Sequence, residues 1–292
     1  MRDKNRGPLF MVLASLCWSL GGVCIKFIPW SAMSIIGLRA LLAAGVFAGY
    51  RASTAGYRGS VKINFTAGNI LGALCLSATT ILFVFANKNT TAAAAILLQF
   101  TAPVFILLLQ LVIYKTKPKP AESVAVCVTI LGMLLFFADR LEPGGLLGNL
   151  CGIASGLSFA GVFLCNKRPD TNPEQALFLG FLINAAAGLP FAFFSVTADF
   201  KAWGLILLLG VVQVGLAYVF FSEGIKRTPA LFACLITALE PVLNPVWVAL
   251  AMGELPGPFA LAGGVVIVAA VVCYHVWAER KERANAETSV EN

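Results

Sequence analysis

Residues 88–104 read KNTTAAAAILLQFTAPV, and residues 226–242 read KRTPALFACLITALEPV. Adding 138 to a residue number moves from the first stretch to the second without a gap: Lys88 meets Lys226, Thr90 meets Thr228, Ala95 meets Ala233 and Pro103 meets Pro241. The register holds outward over residues 71–120 and 209–258, where Gly72 meets Gly210, Phe83 meets Phe221, and Pro118 and Pro120 meet Pro256 and Pro258. Helix-breaking prolines kept in register mark a duplicated scaffold. Duplicated halves with a ligand site between them near the bilayer midplane are a common plan of membrane transporters.

Composition places the chain in a bilayer. Of 292 residues, 59% are hydrophobic and only 12% charged, with a mean hydropathy of +0.86, too apolar for a water-soluble domain. A spanning helix needs roughly 20 mostly apolar residues. Such stretches fall at residues 9–27, 32–50, 67–86, 91–114 and 121–138, and again at 146–165, 175–194, 202–222, 230–252 and 259–277. The expected fold class is an all-α integral membrane protein of ten transmembrane helices in two inverted five-helix repeats. The first apolar stretch is long enough to span and lacks a clear small-residue cleavage site, so it is expected to stay as helix one. The eight cysteines lie within or at the edges of apolar stretches with no C-x-x-C pair, and read as small buried hydrophobes rather than metal ligands or disulfides.

Sixteen Lys and Arg residues fall on the side of the N-terminus, in its leader and in the loops around residues 51–62, 115–119, 167–168, 226–227 and 280–283, against Lys88, Arg140 and Lys201 on the other. By the positive-inside rule both termini are expected in the cytoplasm. The +7 net charge is therefore topological, and because it is scattered through short loops a nucleic-acid partner is not expected. Five helices per half, an odd number, invert the second half. The loop at 115–120 keeps Lys115, Lys117 and Lys119, whereas its counterpart at 253–258 keeps the prolines and carries no lysine. Residues 1–140 are expected to form the first repeat, 141–278 the second, and 279–292 a charged cytoplasmic tail. The expected location is a multi-pass position in a cell membrane, the bacterial inner membrane in particular.

The run CWSLGG at 17–22 with Lys26, Arg39 in helix two, LEPV at 239–242 and Gly253-Glu254 together resemble the drug/metabolite transporter (DMT) superfamily, EamA type. The first half departs from the pattern, with Ala102 opposite Glu240 and Thr116 opposite Glu254. The resemblance implies ten helices around a central cavity that moves small metabolites, often outward.

Polar residues at membrane depth supply the candidate site. Thr237, Glu240, Asn244 and Trp247 recur at spacings of three and four and share one face of helix nine. Glu240 is the only acid deep in a span; its charge costs at least ~2.5 kcal/mol on insertion scales, so it faces the bundle interior or a water-filled cavity. Pro103, Pro241 and Pro245 lack N–H groups and are expected to break their helices. Two readings of Glu240 stand side by side, a proton or substrate path and a structural bond to a neighbouring helix. Gln99, the repeat partner of Thr237, faces the cavity, because its amide is costly among acyl chains. Trp18, Phe83, Tyr218 and Trp247 are candidate apolar walls, and Ser19, Gln99, Gln213 and Asn244 candidate polar contacts to a solute. Lys26 reads as a snorkelling side chain or a gate, and Arg39 as a buried charge that needs an anionic or carbonyl partner, with structural pairing favoured. Gly148, Gly152 and Gly156 line a ridge without side chains on helix six.

No H-E-x-x-H, P-loop or dinucleotide fingerprint occurs, and the G-x-S-x-G spacing of serine hydrolases is absent around Ser155. No cofactor and no enzymatic activity are expected. The expected function is a secondary transporter or facilitator of a small polar metabolite, an amino acid or related compound, acting as an exporter by alternating access around a central cavity, with proton coupling as one option for Glu240. Alternatives are a proton-coupled exporter of lipophilic cations or drugs, a nucleotide-sugar or lipid-linked carrier, and a non-transporting membrane enzyme or sensor.

Overall fold

A computed structural model describes residues 6–60, 63–138, 145–243, 247 and 257–288; the side chains of Lys26, Gly22, Val23, Ala92, 55–60 and 282–288 are outside the description, as are Asn244, Pro245 and the loop at 253–256. Among the described residues all regular structure is helical. Ten rods follow in chain order. They are α1 (Arg6–Trp18, then Gly21–Phe27), α2 (Ala32–Ser60), α3 (Ala67–Asn89), α4 (Ala92–Gln99, then Ala102–Ile113) and α5 (Pro120–Phe136). The second five are α6 (Leu146–Cys165), α7 (Pro173–Ser195), α8 (Phe200–Arg227), α9 (Ala230–Thr237, resuming at 239–243) and α10 (Pro258–Thr288). Seven of these are long and apolar enough to cross a membrane, and the shorter three are apolar as well. The chain is an all-α, multi-pass membrane protein.

The outside of the bundle matches that medium. Leu146, Val265, Val112 and many other large apolar side chains point outward, and Phe193, Phe194 and Phe200 are 90, 90 and 94% exposed. In water this surface would be a liability; in lipid it is the expected contact face. The same logic corrects the reading of the cysteines. Cys17, Cys24, Cys165 and Cys234 are buried, but Cys127 and Cys273 are exposed, because a small apolar thiol is as much at home facing acyl chains as facing the core.

The repeat is visible in the packing. The extensive contacts run between halves and come in mirrored pairs: α3 packs on α6 as α8 packs on α1, α3 on α7 as α8 on α2, and α4 on α6 as α9 on α1. α2 with α7 and α5 with α10 are each their own mirror mates, the positions of helices beside a pseudo-two-fold axis. Both of these crossings are made at glycines. A Cβ at Gly37 would sit 2.4 Å from the Gly188 backbone, and one at Gly263 would sit 2.3 Å from Phe136 N, so only the bare backbone lets these helices meet. The expected ridge on α6 also packs closely, against the α3–α4 turn at Asn89 and Thr90 and against Leu98 and Thr101.

One end of the bundle collects the charged groups. Glu223 on α8 accepts hydrogen bonds from Tyr50 Oη of α2 (2.8 Å) and Lys226 Nζ (2.7 Å), and pairs with Arg227. Lys226 also pairs with Glu174 at the start of α7. In the loop before α7 the Asp170 carboxylate accepts the Gly68 N–H (2.8 Å) in the first turn of α3 and pairs with Arg168 Nε (2.9 Å), a charge placed where a helix N-terminus favours it. At the opposite end α2 and α7 are joined through uncharged groups: Ser31, Ser34 and Ser195 share hydrogen bonds, and the Trp30 Nε1–H donates to Thr197 Oγ1 (3.1 Å).

Three of the spans are interrupted, two of them at the prolines expected to break them. α4 breaks at Phe100–Thr101, just before Pro103, and α9 breaks at Ala238, just before Pro241; the two breaks lie at the repeat offset, and each places a proline in the first turn of the resumed helix, where its missing N–H is no loss. α1 breaks at Ser19–Leu20 without any proline. There the Ser19 hydroxyl donates to Leu16 O at 2.6 Å, competing with the helix for its carbonyl. α10 runs on to Thr288, so the tail expected from 279 begins as a continuation of the last span.

Candidate functional site

All of these interruptions surround one cavity. Between the two halves lies a space of about 60 Å3 lined by Trp18, Arg39, Thr79, Thr80, Phe83, Gln99, Phe159, Gln213, Val214, Tyr218 and Glu240. Trp18 ends the first piece of α1, Gln99 ends the first piece of α4, and Glu240 follows the break in α9. A broken helix turns its end residues and freed backbone groups toward such a space, the one place within a membrane where irregular backbone is tolerated.

α8 contributes through a different distortion. Leu208–Leu216 is wound as a π-helix, a local widening often found at functional sites. It is clamped against α2, since a Cβ at Gly210 would sit 2.5 Å from Leu42 Cβ and one at Gly215 would sit 2.9 Å from Val46 Cβ. Gln213 and Val214, in this stretch, and Tyr218, one turn later, all reach the cavity. The Gln213 amide lies over the α1 break, 2.6 Å from where a Cβ on Gly21 would stand.

The walls are aromatic on one side. Trp18 and Tyr218 meet edge-on with ring centroids 5.0 Å apart, and Trp18 and Phe159 at 6.2 Å. The polar side is partly tied down. Gln99 Nε2 donates to Ser155 Oγ (3.2 Å), which donates to Thr79 O (3.0 Å), so α4, α6 and α3 are linked behind the cavity. Glu240 sits deep among protein atoms yet is only half-buried by its own surface, because that surface faces the cavity. Arg39 is buried, and among the described residues no ion pair or hydrogen bond engages it; its Nε has no partner, nor does Gln213 Oε1. The anionic or carbonyl partner expected for Arg39 is not found among the described residues. Tyr218 lies within electrostatic reach of both Arg39 and Glu240.

Of the residues singled out in the sequence, Trp18, Arg39, Phe83, Gln99, Gln213, Tyr218 and Glu240 are brought together here. Ser19 and Trp247 stand apart from the lining and hold each other: the Trp247 Nε1–H donates to Ser19 Oγ at 2.7 Å, tying the far part of α9 to the α1 break. Pro103 and Pro241 sit beside their helix breaks. Asn244, Pro245 and the Lys26 side chain fall outside the described residues. Sequence reasoning missed Thr79, Thr80, Phe159 and Val214. Thr80 was within reach of it, because the 138-residue offset carries Tyr218 onto Thr80.

A cavity between mirrored five-helix halves is the architecture of a carrier, and comparison with known proteins agrees. A model of the EamA-like transporter family matches residues 5–138 and, a second time, residues 146–275. The chain belongs to the EamA-like transporter family. This EamA-like transporter is 26% identical over 276 residues to the pseudopaline exporter CntI of Pseudomonas aeruginosa strain UCBPP-PA14, spanning 91% of this chain and 94% of that one. It is 29% identical over 192 residues to an uncharacterized transporter of Archaeoglobus fulgidus, spanning 65% of this chain and 69% of that one. A solved crystal structure matches with a TM-score of 0.80 over 95% of this chain and 99% of that one; at 19% identity the likeness shows the fold alone. Membership makes the EamA-like protein a transporter of small molecules in a membrane, not an enzyme.

Proposed function

We propose that this transporter exports a small polar metabolite, an amino acid or related compound, by alternating access of the central cavity. The observation that carries the reading is the cavity itself, where polar groups from both repeats converge beside aromatic walls. Its 60 Å3 suits a few waters and falls below the roughly 300–1,000 Å3 of small-molecule sites. A solute therefore enters only when the cavity opens, and the breaks in α1, α4 and α9 are where the bundle bends. Residues 1–140 and 141–278 are the two repeats, with 279–292 as the tail.

Outward direction is supported by the likeness to a named exporter. The charge bias of the loops supports a bacterial inner membrane with the charged end of the bundle and both termini in the cytoplasm. Glu240 is the proton-carrying group, since it is the acid lining the cavity and no ion pair holds it among the described residues. A lipophilic-cation exporter would leave the Arg39 charge facing its substrate, and a nucleotide-sugar carrier would have, among the described residues, only Arg39 as a basic group in the lining.

The test is flux of amino acids and related metabolites into and out of proteoliposomes, with and without a pH gradient. Saturable movement of at least one such solute is expected, and Glu240→Gln, which keeps shape but cannot titrate, is expected to move it without a response to the gradient. Flux absent for every solute overturns transport of this class; a full gradient response in the variant overturns the role of Glu240.

A further inference from the structure

We propose that the groove between α5 and α10 binds an anionic glycerophospholipid, with one acyl chain in the groove and the phosphate against Lys281 and Lys119. The groove holds about 330 Å3, and its lining includes Val124, Ala125 and Val128 of α5 and Ala270, Cys273 and Trp277 of α10. Ala125 and Ala270 are its buried floor, and Val124 and Cys273 its exposed rims. It lies on the outside of the bundle, apart from the central cavity, so its occupant is independent of the solute carried. α5 and α10 meet tightly at Gly132 and Gly263, where an added Cβ would press on Ile267 and Phe136 respectively. From that crossing the groove runs toward the charged end of the bundle, about 10 Å along α10 from Ala270 to Trp277 at the rise of an α-helix. Both walls are apolar, which suits the upper part of an acyl chain.

The charge at the mouth selects the headgroup. Lys281 stands one turn beyond Trp277 with its Nζ 5.2 Å from the indole centroid, so a cation is held over the opening. Lys119 precedes the first residue of α5, with its side chain 58% exposed. Lys115 and Lys117 lie in the exposed loop before it, and Arg280 is exposed beside Lys281. The acids here are Glu122 and Glu279. Glu122 is turned back on α5, where it accepts the Lys119 N–H (2.9 Å), and Glu279 Oε1 lies 3.5 Å from His275 Nε2. Among the described residues the basic side chains outnumber the acidic ones, and the mouth is cationic. Basic side chains gathered at the end of a spanning helix attract anionic lipids, and an indole suits the depth of the headgroups. A zwitterionic lipid brings an ammonium back toward the same lysines and gains less. A second copy of the chain, docked here about a two-fold axis, would set these lysines against their own counterparts.

The experiment is native mass spectrometry of the purified full chain titrated in detergent with dioleoyl-phosphatidylglycerol or dioleoyl-phosphatidylcholine, which share acyl chains and differ in net charge. The first phosphatidylglycerol is expected to bind at least about threefold more tightly than the first phosphatidylcholine, the scale of one or two basic groups near a headgroup. Lys119→Gln combined with Lys281→Gln is expected to abolish that preference. Cys273→Trp, which fills the groove from its exposed rim, is expected to weaken phosphatidylglycerol by a similar factor. Lys88→Gln combined with Lys201→Gln removes two exposed cations from the opposite end and is expected to leave the preference intact. The comparison of the two lipids on the unaltered chain stands whatever a variant does. A preference below threefold there, an undiminished preference in the Lys119 and Lys281 variant, an equal loss in the opposite-end variant, or a dimer whose formation excludes the lipid overturns the inference.

Discussion

Gln99 illustrates how one side chain serves both the scaffold and the site. Its amide donates to Ser155 Oγ, but Ser155 keeps its own bond to Thr79 O when that amide is removed. Gln99→Ala is therefore expected to reach the membrane in ordinary amounts and to raise the half-saturation concentration for flux about fivefold, the worth of one net hydrogen bond; unchanged kinetics would reassign Gln99 to packing. Asp170, in the loop before α7, ties that loop to α3, and the hydrogen bond from Arg168, followed by the Gly68 N–H and the Arg168 charge, holds its carboxyl below the ordinary carboxylate range. A folded-state value below the unfolded one means the stabilisation is present above the unfolded value, about pH 3.9, and is lost as pH falls through the folded value. Thermal melts in detergent are expected to show a fall in stability below about pH 4 that is smaller in Asp170→Asn; identical acid profiles would remove Asp170 from the account. At this scale the sequence was legible where a residue is costly in lipid. Glu240, Gln99 and Gln213 are such residues, and all three face the cavity. Arg39 was legible as a buried charge but not as one without a partner among the described residues, because pairing depends on which helices meet.

The elements divide into those whose geometry proline dictates and those that bend for other reasons. The breaks in α4 and α9 follow from Pro103 and Pro241 and were expected from them. The π-helical turn in α8 was not. The run LLGVVQVGL is apolar throughout apart from Gln213, so no face alternates and no period betrays a widened helix. The α1 break was hidden for a similar reason, since it depends on a serine hydroxyl returning to its own helix. Crossings are set by glycine. Gly37→Ala and Gly188→Ala place a methyl group 2.4 Å from facing backbone, which cannot yield as a flexible side chain would. Each is expected to lower the melting temperature and folded yield markedly, whereas Gly45→Ala, with open space around its added Cβ, should be neutral or gain up to about 1 kcal/mol from helix propensity. Equal effects at all three sites would contradict the close approach of α2 and α7.

On the scale of the molecule, the mirrored contacts between halves enclose one cavity lined by both, and the proposed alternating access has it open in turn to either side. The duplication and the inversion were written in the sequence, in the 138-residue offset and the five helices per half. Which helices pair was not, because apolar surfaces in lipid carry little sequence signal for partner choice; that depended on glycines such as Gly37 and Gly188 meeting in space. The most direct test of alternating access uses Thr80, a cavity-lining residue. With the eight native cysteines replaced, Thr80→Cys is exposed to a membrane-impermeant thiol reagent from either face of sealed right-side-out or inside-out vesicles. Labelling is expected from each face, with a transported solute changing the rate at both. Labelling from one face alone, or from neither, would contradict a cavity that opens in turn to both compartments.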